Sequence, residues 1–358
     1  TTVHWHGLRI PIQMDGVPGA SQPNVEPGQS FVYDFMVPDA GLYWYHPHVM
    51  SAAQVGFGLY GALLIEDPNE NVGVEDELVM VLSDIGLDPR GGLENPDSGG
   101  STGMAFGREG TDVLVNGRKQ PSITVRSGVP QRWRIVNASK SRYFLLDLDG
   151  QTFRKIGGDA GLQESSVDSK ELLIATGERV DLIVTPRVAR GASLDLMSLL
   201  YNRGYGSTEF RNVEKLITMV GSDMPAYTAP PPPEVRRTIA PIDATGAKRV
   251  NIELTIAQEP NGGRLVYGIN GVPFAKDKPL MAGLGETQIW TIKNSTKWSH
   301  PFHLHGFFFQ VLDDNGNPVR PLAWKDTVDV PLESTRSFIV RFDGDRPGSW
   351  MYHCHILE

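Results

Sequence analysis

The chain has a single cysteine, no long apolar run and no cluster of basic residues, and each shortage removes a class of explanation. One thiol, Cys354, rules out an internal disulfide, so disulfide use says nothing about the compartment. It leaves open a thiolate metal ligand or a nucleophile. No apolar stretch approaches the roughly 20 residues of a bilayer-spanning helix, and Thr1 is followed by no signal-peptide pattern. Membrane insertion is therefore not expected. With 33 basic against 42 acidic residues and a net charge of −9, the chain presents no basic face to nucleic acid or to an anionic membrane. Long segments of helical periodicity are missing as well.

What is present is a series of short, β-rich or alternating runs punctuated by Gly, Pro, Asn and Asp. They fall at 31–37, 42–45, 63–66, 78–82, 133–136, 144–148, 179–184, 216–220, 252–256, 289–292 and 338–342. This spacing predicts an all-β protein of sandwiches. At 358 residues the chain exceeds one core, and internal repeats divide it. Gly41-Leu-Tyr-Trp-Tyr-His-Pro-His48 and Gly348-Ser-Trp-Met-Tyr-His-Cys-His355 share Gly, Tyr and both His at the same offsets. Each follows an alternating strand and, earlier, a His-x-His-Gly: His4-Trp-His-Gly7 and His303-Leu-His-Gly306.

A third copy lies between them without ligands. Trp133-Arg-Ile-Val-Asn137 matches Trp290-Thr-Ile-Lys-Asn294, and Asp147-Leu-Asp-Gly150 takes the place of His303-Leu-His-Gly306. The expected division is a first module at 1–70, a ligand-free spacer at 71–225, a Pro-rich linker at 226–248 and a last module at 249–358. Residues 89–110, rich in Gly and Ser, are expected to form a mobile loop, and Asp313-Asp-Asn-Gly316 a hairpin turn. The spellings Asn137-Ala-Ser and Asn294-Ser-Thr sit at repeat positions that suggest strand-end turns rather than glycans.

All nine histidines belong to four clusters: His4/His6, His46/His48, His300/His303/His305 and His353/His355. On a strand, residues two apart share a face, so each His-x-His pair offers two imidazoles to one compartment. Two modules with two pairs each supply eight, enough for a polynuclear site between the first and last modules. Parity turns Cys354 away from His353 and His355, and His300 away from His303, so Cys354 and His300 are expected at a second site. Imidazoles combined with one thiolate in a β-sandwich suit copper. The Cys-x₂₋₄-Cys or His-x₃₋₅-His spacing of structural zinc is absent.

The His4-Trp-His-Gly, Tyr45-His-Pro-His, His300-Pro-Phe-His-Leu-His-Gly and His353-Cys-His-Ile-Leu-Glu segments resemble the four copper motifs of the multicopper oxidases, and the whole chain resembles bacterial three-domain laccases. The resemblance implies three consecutive cupredoxin-like, Greek-key sandwiches, the first truncated at its N-terminus. It implies four copper ions: type 2 held by His4 and His303, a type 3 pair by His6, His46, His48, His305, His353 and His355, and type 1 by Cys354 and His300. It further implies small-molecule electron donors and O₂ as partners, and export from the cytoplasm. Asp15 matches the family's acidic residue for proton delivery or water binding at type 2, against its alternative as a turn residue before Gly16. Asp326 is expected to be structural, and Trp298 to line the type 1 pocket.

In the family a second type 1 histidine directly follows the position of Glu358, then an axial residue, and further strands precede the position of Thr1. The chain is therefore expected to be part of a longer protein. Thr296 and Trp298 stand where cuprous oxidases of the family carry acidic or Met residues, and the ten methionines are scattered. That favours phenols or aromatic amines as substrates over Cu(I) or Fe(II). A copper nitrite reductase would lack the type 3 pair. A non-catalytic scaffold or an electron-transfer protein is the alternative of another class.

Overall fold

The computed structural model describes residues 1–74, 76–95, 103, 105–204, 212–228, 232, 234–258, 265–273 and 278–357. Its elements are nearly all strands; among the described residues a short helix runs over Ser51–Gly56 and a 3₁₀ turn over Ile12–Met14, and Gly103, Ala105 and Phe106 are helical. The strands form five sheets. In the first part His4–His6, Gly41–His46 and Gly61–Ile65 make an antiparallel three-stranded sheet. A six-stranded and a five-stranded sheet form the middle, and a five-stranded and a three-stranded sheet the last part.

The alternating runs explain these sandwiches. In the middle, Trp133, Ile135, Val180 and Leu182 of one sheet close on Phe144, Leu146, Leu196 and Met219 of the other, all buried in one cluster. In the last part Ile252, Trp290, Ile292, Phe338 and Val340 meet Phe302, Leu304, Val328 and Val330 across the sheets. Both sandwiches contain a crossover that puts sequence-distant strands side by side in parallel: Asp76–Ile85 with Gln131–Asn137, and Lys248–Gln258 with Thr287–Asn294. The three parts meet where Leu8, Ile10 and Tyr43 pack with Ala160 and Phe308.

Ten of the eleven expected strands are present. The exception is 31–37, which pairs with no strand among the described residues. Its alternation is nevertheless expressed: Tyr33 and Phe35 pack on Trp5, while Val32 and Met36 are exposed. Alternation records a buried face and a wet face, and a ladder additionally requires a neighbouring backbone. The final strand is also shorter than its motif, Tyr352–Cys354, although His305 N–H to Met351 O and His355 N–H to Pro301 O continue the pairing at both ends.

The segment before the last sandwich is only partly described at its proline run, but beyond it the chain is docked. Val235 is buried with Val72, Ile156 and Ile183, Arg237 bonds Ala160 O, and Ile242 N–H bonds the Gln310 side chain. The centre of 89–110 lies outside the described residues; Phe106, at its end, packs on Trp298 at 4.7 Å. The 313–316 turn is present, closed by Gly316 N–H to Asp313 O. Asn137 and Asn294 are both buried, each bonding carbonyls across its turn, so neither is open to a glycan.

Candidate metal centre

Strand register brings the histidine pairs side by side. His4 lies opposite His46 in the first sheet, and His303 opposite His353 in the last. The two sheets face each other through stacked imidazoles, His4 on His305 at 3.9 Å between centroids and His6 on His303 at 3.8 Å. Donor atoms converge in sets within 4.8 Å of one another: His4, His6 and His303; His6, His46 and His355; His48, His305 and His353. A fourth set joins His4, Asp15 and His305.

On His4, His6, His46, His303, His305 and His353, one nitrogen is committed to the protein. Nδ1 of His4 donates to Asp15 O at 2.8 Å, Nδ1 of His46 to Pro47 O at 3.0 Å, and Nδ1 of His303 to Asp326 O at 2.9 Å. A carbonyl oxygen only accepts, so these Nδ1 atoms carry the proton and Nε2 keeps its lone pair. In His353, Nδ1 donates to Cys354 O at 2.9 Å, and Nε2 lies 2.9 Å from Nε2 of His305, whose Nδ1 bonds Asp15 Oδ2 at 2.9 Å. His6 is reversed: Nε2 faces Asp326 Oδ1 and Thr327 Oγ1, each at 3.2 Å, and Nδ1 is the free atom.

The free atoms are buried and without hydrogen bonds: Nε2 of His4, His46 and His303, Nδ1 of His6 and both nitrogens of His355. A buried polar group left in this condition costs about 1–3 kcal/mol. Burial, reinforced by neighbouring imidazoles, also lowers the pKa of His6, His46, His48, His305 and His355 well below the ordinary 6.5, and that of His353 to about 3. A cluster of neutral imidazoles with inward lone pairs is a set of metal ligands, and it fits copper.

Cys354 faces the other way and meets His300, whose Nδ1 lies 3.2 Å from Sγ. The outer nitrogen of His300, Nε2, bonds Thr296 Oγ1 at 2.8 Å. That hydroxyl already donates within its turn to Asn294 Oδ1, so it accepts from His300 and leaves Nδ1 as the lone pair beside the sulfur. Burial pushes the Cys354 thiol up to about 12 and His300 down to about 3. Proton loss from this thiol therefore needs a cation, which a bound metal supplies. A cavity of about 790 Å³ opens onto this pair, lined among others by Trp298, Tyr267, Met281 and Leu284.

Both carboxylates touch the cluster. Asp15 is both a turn residue, closing the 3₁₀ turn, and a buried partner of His4 and His305, with Oδ1 free of hydrogen bonds. Asp326, expected to be structural, is a second hub of the cluster, touching His6 and His303. Arg179, which grips it, was not singled out by its sequence, where Gly177-Glu-Arg-Val reads as a strand entrance. The middle sandwich also supplies Thr176, whose hydroxyl bonds His355 O, and Gly177, where a Cβ would come 3.1 Å from His6.

Family models of multicopper oxidases match three stretches, residues 1–70, 76–192 and 243–358. Among curated relatives, multicopper oxidase MmcO of Mycobacterium tuberculosis is 30% identical over 99% of this chain and 74% of its own length. The laccase of Bacillus subtilis is 29% identical over 100% and 77%. Among solved structures, McoA from Aquifex aeolicus superposes with a TM-score of 0.83 at 28% identity, covering 99% of this chain and 81% of the other. The Campylobacter jejuni multicopper oxidase, a metallo-oxidase, gives 0.84 at 28%, covering 100% and 77%. With ligand pairs in its outer sheets and matches along its whole length, this chain belongs to the multicopper oxidases.

Proposed function

We propose that the chain is a laccase-like oxidase of phenols and aromatic amines, with His4 and His303 holding a type 2 copper, His6, His46, His48, His305, His353 and His355 a type 3 pair, and Cys354 with His300 a type 1 copper. The observation that carries this reading is the nitrogen accounting: on His4, His6, His46 and His303 one nitrogen is hydrogen-bonded to the protein and the other is free, and eight histidines fall into sets whose donor atoms lie within 4.8 Å of one another. When bound, copper supplies one-electron oxidation at the Cys354 site and reduction of dioxygen to water at the histidine cluster. The protein joins the two through His353-Cys354-His355, where backbone bonds and the hydrogen bond from His353 Nδ1 to Cys354 O connect the sites. Dioxygen reduction consumes protons, and Asp15 Oδ1, buried beside His4 and free of hydrogen bonds, is placed to hold one. Neutral imidazoles at neutral pH keep the cluster ready for metal. On family resemblance we place the protein outside the cytoplasm.

Copper analysis, absorption and oxygen uptake with a phenol test this reading. An intense thiolate-to-copper band with phenol-dependent oxygen uptake is the expected result; absence of both would refute it. A second reading, a metallo-oxidase for Cu(I) or Fe(II), draws on Met281 and Met351 in the cavity wall, since thioethers suit Cu(I). Faster turnover of Cu(I) than of a phenol under one set of conditions would favour it.

A further inference from the structure

We propose that the turn at residues 175–178, in the sandwich that holds no ligand, is a template for the histidine cluster: Thr176 and Gly177 are positioning residues that fix where the His355 and His6 rings stand. This rests on the reading that the cluster holds copper. The turn joins the strand Glu171–Ile174 of one middle sheet to Arg179–Val184 of the other, and Ala175, Thr176 and Gly177 in it are buried. Hydrogen bonds fix it from several sides. Gly177 N–H donates to Asn137 O at 2.9 Å and Glu178 N–H to Ala175 O at 3.2 Å. The Glu178 carboxylate accepts from Ala175 N–H at 2.9 Å and from Lys325 Nζ at 3.0 Å, and Arg179 Nη1 holds Gly177 O at 2.8 Å. Buried turns bonded this densely lie at the stable end of a protein's local motions.

His355 is the ligand that depends on this turn. Among the described residues it is the one buried histidine with neither ring nitrogen hydrogen-bonded, so no carbonyl or carboxylate orients its imidazole. Its position is set instead by its backbone and by packing. The N–H donates to Pro301 O at 2.6 Å, within the last sandwich, and the carbonyl accepts from Thr176 Oγ1 at 3.1 Å, from the middle one. The ring packs among His6, His46 and Trp44, at 4.9, 5.3 and 5.4 Å between centroids. Gly177 closes on it as well.

At Gly177, φ +83°, the contact is possible because there is no side chain. A Cβ would lie 3.1 Å from Cε1 of His6 and 3.2 Å from both Cγ and Cδ2 of His355. Carbon atoms pack best at about 3.5–4.0 Å, so an alanine would press on both rings. The contact uses the carbon edge of His355, and on His6 it meets the carbon between the two nitrogens. These two histidines form one donor set with His46, whereas His48, His305 and His353 form another and supply none of the three atoms nearest to that Cβ. With the turn held in place, the ring that yields is the one without a hydrogen bond of its own, His355. The middle sandwich, which has no ligand, thus sets the geometry of one donor set and not the other.

Variants of the full chain separate positioning from folding. In metal-free protein labelled with ¹⁵N-histidine, Gly177→Ala is expected to shift the NMR ring signals of His6 and His355 and to leave those of His48, His305 and His353 in place. Titration with copper against a competing chelator is expected to show binding weakened about 10- to 100-fold, the usual effect of disturbing the outer contacts of a metal-bound imidazole. Gly191→Ala, at φ +65° in the same sandwich with nothing within 4 Å, carries the same backbone cost and is expected to change neither readout. Thr176→Val removes the hydroxyl without adding bulk and should shift His355 and weaken copper binding, and Thr176→Ser should restore both. A folded Gly177→Ala chain with wild-type ring signals and copper affinity overturns the proposal. Should Gly177→Ala not fold, Thr176→Val decides in its place: wild-type His355 signals and copper affinity there overturn it. A wild-type chain that binds no copper would refute the proposed function, while the metal-free ring signals still decide whether the turn positions the two rings.

Discussion

The middle and last sandwiches contain the same turn and strand, and only one of them meets imidazoles. In both, a strand ends at a buried asparagine, Asn137 or Asn294, whose side-chain oxygen accepts from a hydroxyl two residues on, Ser139 or Thr296. In both, the amide bonds a carbonyl of a strand in the facing sheet, Ile174 or Val330, and that residue lies opposite Phe144 or His300. Counting from there, Asp147 and Asp149 stand where His303 and His305 stand, and Gly150, at φ +66°, matches Gly306 at φ +70°. The backbone is the same, but the surroundings are not. Asp149 and Gly150 face solvent, whereas His303, His305 and Gly306 are buried against the first sheet. A metal site needs a second set of ligands across a dry gap, and only the last sandwich has one.

The largest expected effect comes from exchanging the two spellings. His303→Asp with His305→Asp should strip copper from the cluster and leave dioxygen uptake undetectable. Asp147→His with Asp149→His should add no copper, because no histidine lies opposite those positions: Asp147 pairs with Glu171 and Met197, and Asp149 is exposed. Metal analysis and an oxygen electrode read both, and copper gained by the second variant would break the comparison.

Glycine tests the same contrast through the backbone. Gly150→Ala meets open space and is expected to cost only the left-handed conformation, about 1–2 kcal/mol. Gly7→Ala, at φ +88° and against Arg179 and Asp326, is expected to cost on the order of 4 kcal/mol in denaturant unfolding. Equal costs would show that the Arg179–Asp326 pair yields without resistance.

A pH test probes the seam between the two sandwiches, where Tyr143 OH donates to Asp329 Oδ1 at 2.6 Å. Burial raises the Asp329 carboxyl from 3.8 to about 7, outweighing the hydrogen bond from Tyr143. Between pH 4 and 7 the unfolded carboxyl is ionised while the folded one keeps its proton, so this group makes stability fall as pH rises through that window. The slope approaches 1.4 kcal/mol per pH unit for one proton. Asp329→Asn should flatten that part of the stability profile, measured by denaturant unfolding against pH. An unchanged profile would remove Asp329 from the account.

The smallest effects separate the two hydroxyls. Ser139→Ala and Thr296→Ala each remove a turn hydrogen bond and should cost about 1 kcal/mol. Only Thr296→Ala should shift the thiolate-to-copper band, because only Thr296 holds a histidine that faces Cys354.

Much of this was legible in the residues because its causes are local. Alternation located ten strands, and it failed at 31–37 because an alternating face does not record whether a partner backbone lies alongside. Parity within His-x-His motifs is also local, so the separation of Cys354 and His300 from the other histidines follows from chain geometry. The contacts of Asp326 with the cluster and the place of Arg179 beside it were not legible, for the opposite reason: an Asp after Lys and an Arg at a strand entrance look ordinary until the fold sets them side by side, 147 positions apart. Asp15 is intermediate, since its turn role is local but its bond to His305 spans 290 positions.

By itself, then, the sequence determined which residues can bind metal and on which face of each strand they stand, because side-chain direction alternates with every peptide. Only the tertiary structure decided which nitrogen of each ring is free. That choice belongs to the groups that occupy the other nitrogen, and for His6 one occupant is a carboxylate 320 residues away, gripped by an arginine from a sandwich that holds none of the nine histidines.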